Sequence, residues 1–158
     1  MDADGQRQSI DSGDVNQYLK DIAKENFTAK DFRTWAGTVL TTLALREFES
    51  FENQAQARKN IVRAIETVAS RLGNTPTICR KCYIHPLVID SYLDGTMMHS
   101  LSQSAEQEMT KSLPGLPPEE SAVLGLLQQR LARETEGRGK RVEPSSLRPQ
   151  LVRTEKEA

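Results

Sequence analysis

Residues 60–86, NIVRAIETVASRLGNTPTICRKCYIHP, decide the reading of this chain. Ile61, Ala64, Ile65, Val68 and Leu72 recur at the spacing of one helix face, so the first half predicts a helix with an apolar stripe. Gly73 stands just past the last periodic residue, where a helix-ending glycine belongs. Pro76 disfavours helix at Thr75. A short helix through Tyr83, capped by Thr77, is then expected before Pro86 interrupts the ladder. The stretch also holds both cysteines of the chain, Cys79 and Cys82, with Tyr83 directly behind them.

The pattern extends outward in both directions. Upstream, Ala57 continues the stripe of the same helix. Residues 29–48, AKDFRTWAGTVLTTLALREF, predict a second long helix after Thr28, with Asp31 placed as the acid of a capping box. Phe32, Trp35, Ala36, Val39, Leu40 and Leu43 are its expected inner face. Its threonines and Gly37 are weak helix formers, so packing must hold it. SGDVNQYLKDIA predicts a short helix with Ser12 as cap and Val15, Tyr18, Leu19 and Ile22 as stripe. Downstream, PLVIDSYLDG predicts a short helix ending at Gly95. Residues 96–117 read as a loop with some helix near 102–111. A last amphipathic helix turns Val123, Leu124, Leu127 and Leu131 inward. No segment has a convincing strand pattern. The expectation is a mainly α protein, a helical bundle over residues 12–133, with disordered segments at 1–11 and 134–158.

Charge narrows the function. The 158 residues carry a net charge of −1. Residues 28–83 hold nine Lys/Arg against five Asp/Glu, whereas the segments on either side are acidic. A basic centre between acidic flanks permits a nucleic-acid face without requiring one. The opening residues are polar and acidic rather than a signal peptide, and no apolar run could span a bilayer. A cytoplasmic protein with reduced thiols and no membrane partner is expected.

Cys79 and Cys82 have the spacing of a zinc half-site, but a structural zinc needs about four ligands. His85 and His99 are the only other soft candidates, and no second paired half-site exists. A redox pair would call for a strand-to-helix setting. Packing on a shared helix face is the preferred reading, ahead of metal and redox.

FTAKDFRTWAGT, followed by RLGNTP-x-I-x-R-x-x-YIHP, resembles the C-terminal part of the catalytic domain of type IB DNA topoisomerases, of the compact bacterial and poxvirus-like group. The resemblance runs from about residue 8 to residue 95. It implies the helical C-terminal catalytic subdomain shared with tyrosine recombinases. It implies relaxation of double-stranded DNA through a 3′-phosphotyrosyl intermediate, without ATP, metal or other cofactor, by a protein associated with the nucleoid. By this resemblance Tyr83 is the nucleophile, Arg33 a stabiliser of the phosphate in the transition state, and Asn74 a hydrogen-bond donor to the same phosphate. Lys30, Arg80 and Lys81 are candidate DNA contacts.

These residue types suit the chemistry. A guanidinium stays charged and offers paired donors to phosphoryl oxygens. An amide can donate but cannot act as an acid. The family also uses a first arginine and a general-acid lysine, both upstream of the matched segment. No such lysine is recognisable here, and Lys20 and Lys24 are poor substitutes. The chain is therefore expected to act with an upstream topoisomerase segment as partner. A tyrosine recombinase and an inactive helical remnant are the alternatives. Lys30 stands where recombinases typically place a histidine, which favours the topoisomerase.

Overall fold

The computed structural model of the chain describes residues 9–48, 51–108 and 115–139. Seven helices order the described residues: α1 (Ser12–Ala23), α2 (Ala29–Glu47), α3 (Gln54–Leu72), α4 (Pro76–Cys82), α5 (Pro86–Leu93), α6 (Met97–Glu108) and α7 (Pro118–Gly139). No strand occurs among them, and the mainly α class expected from periodicity holds.

Helix α2 is the hub. It packs on α3 and α7 and touches α5, while α3 carries α4 and α5 on its other contacts. Leu45, Val68, Val88, Tyr92, Met97, Val123 and Leu126 are almost wholly buried and join five helices in one core. Two polar ties cross it. Asn60 Nδ2 of α3 donates to the Tyr92 hydroxyl of α5 at 2.8 Å, in a buried setting. The Trp35 indole N–H of α2 donates to Glu120 of α7 at 2.6 Å.

Local chemistry explains most boundaries. Gly73 takes φ +65°, and the N–H of Asn74 reaches back to the Ala69 carbonyl at 2.9 Å, so α3 ends in a left-handed turn. Thr28 precedes α2, and Asp31 accepts both its backbone N–H (2.8 Å) and its hydroxyl (2.7 Å). Those bonds, the hydroxyl's foremost, hold the Asp31 carboxyl below its ordinary pKa.

Several expectations are corrected. Asp11, not Ser12, caps α1, because its carboxylate accepts from Gly13 and Asp14. Thr75, not Thr77, caps α4, since Pro76 fits the first helical position. Helix α6 covers 97–108, starting five residues before the helix expected near 102–111, whose residues 109–111 lie outside the described residues; Met97 and Leu101, one turn apart, are buried on it. Helix α7 continues to Gly139, beyond residue 133. Its inward face includes the fully buried Leu126, whereas Leu131 is exposed. The remaining expected disordered residues, 1–8 and 140–158, lie outside the described residues.

Two apolar stripes sit differently from expectation. Helix α1 buries no residue and Val15, Tyr18 and Ile22 are exposed; α1 is tied to the start of α2, where Asn16 Oδ1 accepts the Ala29 N–H at 3.0 Å. On α2, Phe32 is exposed, and the buried face is Gly37, Thr38, Val39, Thr41, Thr42 and Leu45. Of that face, Gly37 and Thr38 meet the segment that carries Tyr83.

Candidate active site

Tyr83 closes α4. Its backbone N–H bonds to the Cys79 carbonyl at 2.9 Å, and its φ and ψ of −127° and 2° turn the chain out of the helix. Pro86 then starts α5, with His85 as its cap: the imidazole Nδ1 accepts the Leu87 N–H at 3.3 Å. Tyr83 therefore sits in a short bend between two proline-led helices.

Arg33 reaches this bend from the second turn of α2. Its guanidinium carbon lies 5.0 Å from the centre of the Tyr83 ring, within the range of a cation–π contact. Its Nη2 donates to the Leu72 carbonyl at 2.6 Å. Asn74 Nδ2 donates to that same carbonyl at 3.2 Å. The Leu72 carbonyl belongs to the last turn of α3, where carbonyls lack helical partners and the helix end is negative. Two donors from distant parts of the sequence thus converge on one oxygen, beside the phenol ring. All three residues are half-buried.

The remaining expected site residues are less tightly drawn in. Lys30, Arg80 and Lys81 are exposed, on the first turn of α2 and the last turn of α4. Cys79 is fully buried and Cys82 exposed, so they do not share a buried face. Burial pushes the Cys79 thiol above its ordinary pKa, against the pull of nearby Arg33. Among the described residues, no three His, Cys, Asp or Glu side chains gather as metal ligands.

Three residues of α2 that the sequence reading passed over touch the Tyr83 segment directly. A methyl group on Gly37 would overlap the Tyr83 carbonyl oxygen and lie 3.1 Å from its carbon. Thr38 Oγ1 accepts the His85 N–H at 3.1 Å. Thr34 Oγ1 approaches the Cys82 carbonyl at 3.4 Å while giving its shorter bond, 2.8 Å, to Lys30. The signal was present as Thr34, Thr38 and Thr42 at four-residue intervals. Thr34, Thr38 and Thr42 each back-bond to the carbonyl four residues earlier, which lets hydroxyls sit inside a helix.

Residues 4–111 match the family described as eukaryotic DNA topoisomerase I, catalytic core. The chain belongs to this topoisomerase family. It is also similar to a DNA topoisomerase 1B of Acanthamoeba polyphaga mimivirus, 27% identical over 86 residues. That match covers 52% of this chain and 26% of the viral protein, so the chain spans about a quarter of the length of that relative. The family assignment and the expected resemblance agree on a type IB topoisomerase. The converging Arg33, Asn74 and Tyr83 all lie inside the matched residues.

Proposed function

We propose that this chain supplies the nucleophile-bearing part of a type IB topoisomerase, which cleaves and reseals one strand of duplex DNA. The convergence of Arg33 and Asn74 on one oxygen beside Tyr83 carries the reading. A non-bridging phosphate oxygen can take the place of the Leu72 carbonyl as acceptor, because it is the stronger partner for a guanidinium.

In the forward step Tyr83 Oη attacks phosphorus. The Oη–P bond forms, the P–O5′ bond breaks, the phenol loses its proton and the leaving 5′ oxygen gains one. Charge grows on the non-bridging oxygens, where Arg33 supplies a fixed positive group and Asn74 a neutral donor. Resealing is the reverse, with the 5′ hydroxyl attacking the phosphotyrosine. The phosphodiester energy stays in the Tyr83–DNA bond, so the chemistry calls for no ATP and no metal.

Lys30, Arg80 and Lys81 are exposed around this bend and suit contact with flanking phosphates of double-stranded DNA. The proton for the 5′ oxygen, and a first arginine, are assigned to an upstream topoisomerase segment. The outward stripe of α1 supports such a partner. Val15, Tyr18 and Ile22 are continuous in sequence with exposed Phe27 and Phe32, and Phe27, Phe32 and Trp35 line an apolar groove of about 290 Å³. The setting proposed for the protein is the cytoplasm, on the nucleoid.

A DNA duplex with a 5′-bridging phosphorothiolate tests the reading, because its sulfur leaves without needing a proton. A covalent adduct that Tyr83→Phe abolishes is expected. An adduct that survives Tyr83→Phe, or none at all, would remove Tyr83 from the role. Strand exchange between two duplexes in place of swivelling would favour a recombinase.

A further inference from the structure

We propose that Thr38 is a positioning residue for Tyr83, acting through the backbone that follows it. The inference rests on Tyr83 being the nucleophile and adds the device that holds it in place. Thr38 is almost wholly buried, with 2% of its surface exposed. Its hydroxyl is used on both sides: it donates to the Thr34 carbonyl at 2.7 Å and accepts the His85 N–H at 3.1 Å. The first bond fixes the direction of the hydroxyl proton and leaves a lone pair for His85.

His85 is the residue where the bend meets α5. Its own side chain caps α5, so its backbone N–H must find a partner elsewhere, and Thr38 provides it. One position back along α2, Gly37 lets the Tyr83 carbonyl press against the helix backbone. Tyr83 is thus held at its N–H by Cys79, at its carbonyl by the bare surface of Gly37, and two residues on by Thr38. The same helix carries Arg33 one turn earlier. Nucleophile and guanidinium are therefore referenced to a single rigid element, and the Thr38 hydroxyl is its buried polar link to the bend, shorter than the 3.4 Å approach of Thr34 Oγ1 to the Cys82 carbonyl.

The loss expected on cutting that link is kinetic. A misplacement of about 1 Å at a reacting group can cost on the order of 100-fold in rate. Thr38→Val keeps the shape and removes the acceptor; Thr38→Ser keeps the acceptor. Two measurements on the full chain decide the matter. The first is amide hydrogen exchange at His85 by NMR, without DNA. The second is the rate of adduct formation on the phosphorothiolate duplex at saturating DNA.

In the unmodified chain the His85 amide is expected to be protected, and an unprotected one overturns the proposal without any variant. Thr38→Val is expected to speed exchange at His85 selectively. It should also lower the saturating rate by roughly 10- to 100-fold, with the half-saturating DNA concentration unchanged. Thr38→Ser should stay near the parent on both. Uniformly faster exchange, a Ser variant as slow as the Val variant, or an unchanged rate would each overturn the positioning role. A parent chain that forms no Tyr83-dependent adduct defeats the nucleophile reading instead; the exchange measurement then decides alone whether Thr38 holds the bend.

Discussion

Arg33 lies with its guanidinium carbon 5.0 Å from the centre of the Tyr83 ring, although the two residues belong to different helical units. Its Nη2 meanwhile holds the last turn of α3 through Leu72. The side chain is anchored and aimed at once. Arg33→Ala is expected to slow adduct formation on the phosphorothiolate duplex by about 100-fold or more, the usual cost of one lost transition-state donor. Arg33→Lys should recover only part of the rate, since an ammonium lacks the paired donors. A rate unchanged in Arg33→Ala would separate this arginine from the reacting phosphate.

Gly37 is predicted to tolerate no side chain. A methyl group there meets the Tyr83 backbone, and neither α2 nor the bend is a flexible side-chain end that could swing away. Gly37→Ala should therefore destabilise the fold by about 1–3 kcal/mol, as overpacking does, despite the better helix propensity of alanine. It should also slow adduct formation. Urea unfolding checks the first effect, and a midpoint equal to or above that of the parent would contradict the contact.

The two cysteines should behave differently. Cys79 is buried with a raised thiol pKa, while Cys82 is exposed at the end of α4. A thiol reagent is expected to label one cysteine in the native chain and both in denaturant. Peptide mapping should place the native label on Cys82. Rapid labelling of Cys79 in the folded chain would show that α4 opens readily. One stoichiometric zinc per chain, with both thiols protected, would replace the packing reading altogether.

Asp94 links the α5–α6 turn to α7. Its carboxylate pairs with Arg130 at 2.7 Å and accepts the Thr96 hydroxyl and N–H at 2.6 and 3.0 Å. Burial raises its pKa, but the Thr96 bonds and Arg130 outweigh burial and leave it below the ordinary value. A depressed folded pKa contributes stability above the unfolded carboxylate pKa of about 4, and loses it as pH falls through the folded value. Asp94→Asn should therefore lower stability near pH 7, by less than about 1 kcal/mol for a pair this exposed. The difference from the parent should shrink toward pH 2–3. Urea midpoints at both pH values check this; an equal deficit at low pH would assign it to shape rather than charge.

Much of the fold was legible because local rules and burial agreed along α3 and α5. Ala57, Ile61, Ala64, Ile65 and Val68 are all buried where period 3.6 put them, and Gly73 ends α3 with positive φ. Legibility failed where a helix face serves something other than the common core. On α2, apolar Phe32 is exposed while Thr38, Thr41 and Thr42 are buried. Hydrophobicity cannot show that part of this face receives a backbone bend. The same holds for Thr34, Gly37 and Thr38, whose role depends on residues 82–85 and only appears in three dimensions. Asp11 and Thr75 as caps were missed by one and two positions, since neighbouring Ser12 and Thr77 carry similar side chains. Arg33, Asn74 and Tyr83 were named from a motif, and only the fold brings them to one place.

A polypeptide of these 158 residues, taken alone, is predicted to relax supercoiled plasmid poorly or not at all. Tyr83, Arg33 and Asn74 supply the attacking oxygen and two donors to the phosphate. The leaving 5′ oxygen still needs a proton, and Asn74 cannot give one. In the proposed reaction that proton comes from an upstream segment, and a missing general acid costs about 10²–10⁴-fold. The first arginine, likewise assigned to that segment, is worth about a further 2.7–4 kcal/mol. The phosphorothiolate duplex bypasses the acid, so the ratio of its cleavage rate to that of ordinary DNA should far exceed the ratio in a complete enzyme. Adding a separately produced upstream catalytic segment should restore relaxation. Replacing Tyr18 and Ile22 of the outward α1 stripe with serine should block that rescue while leaving adduct formation by this chain unchanged. Relaxation by the chain alone at the rate of a complete enzyme would show that a residue within it donates the proton.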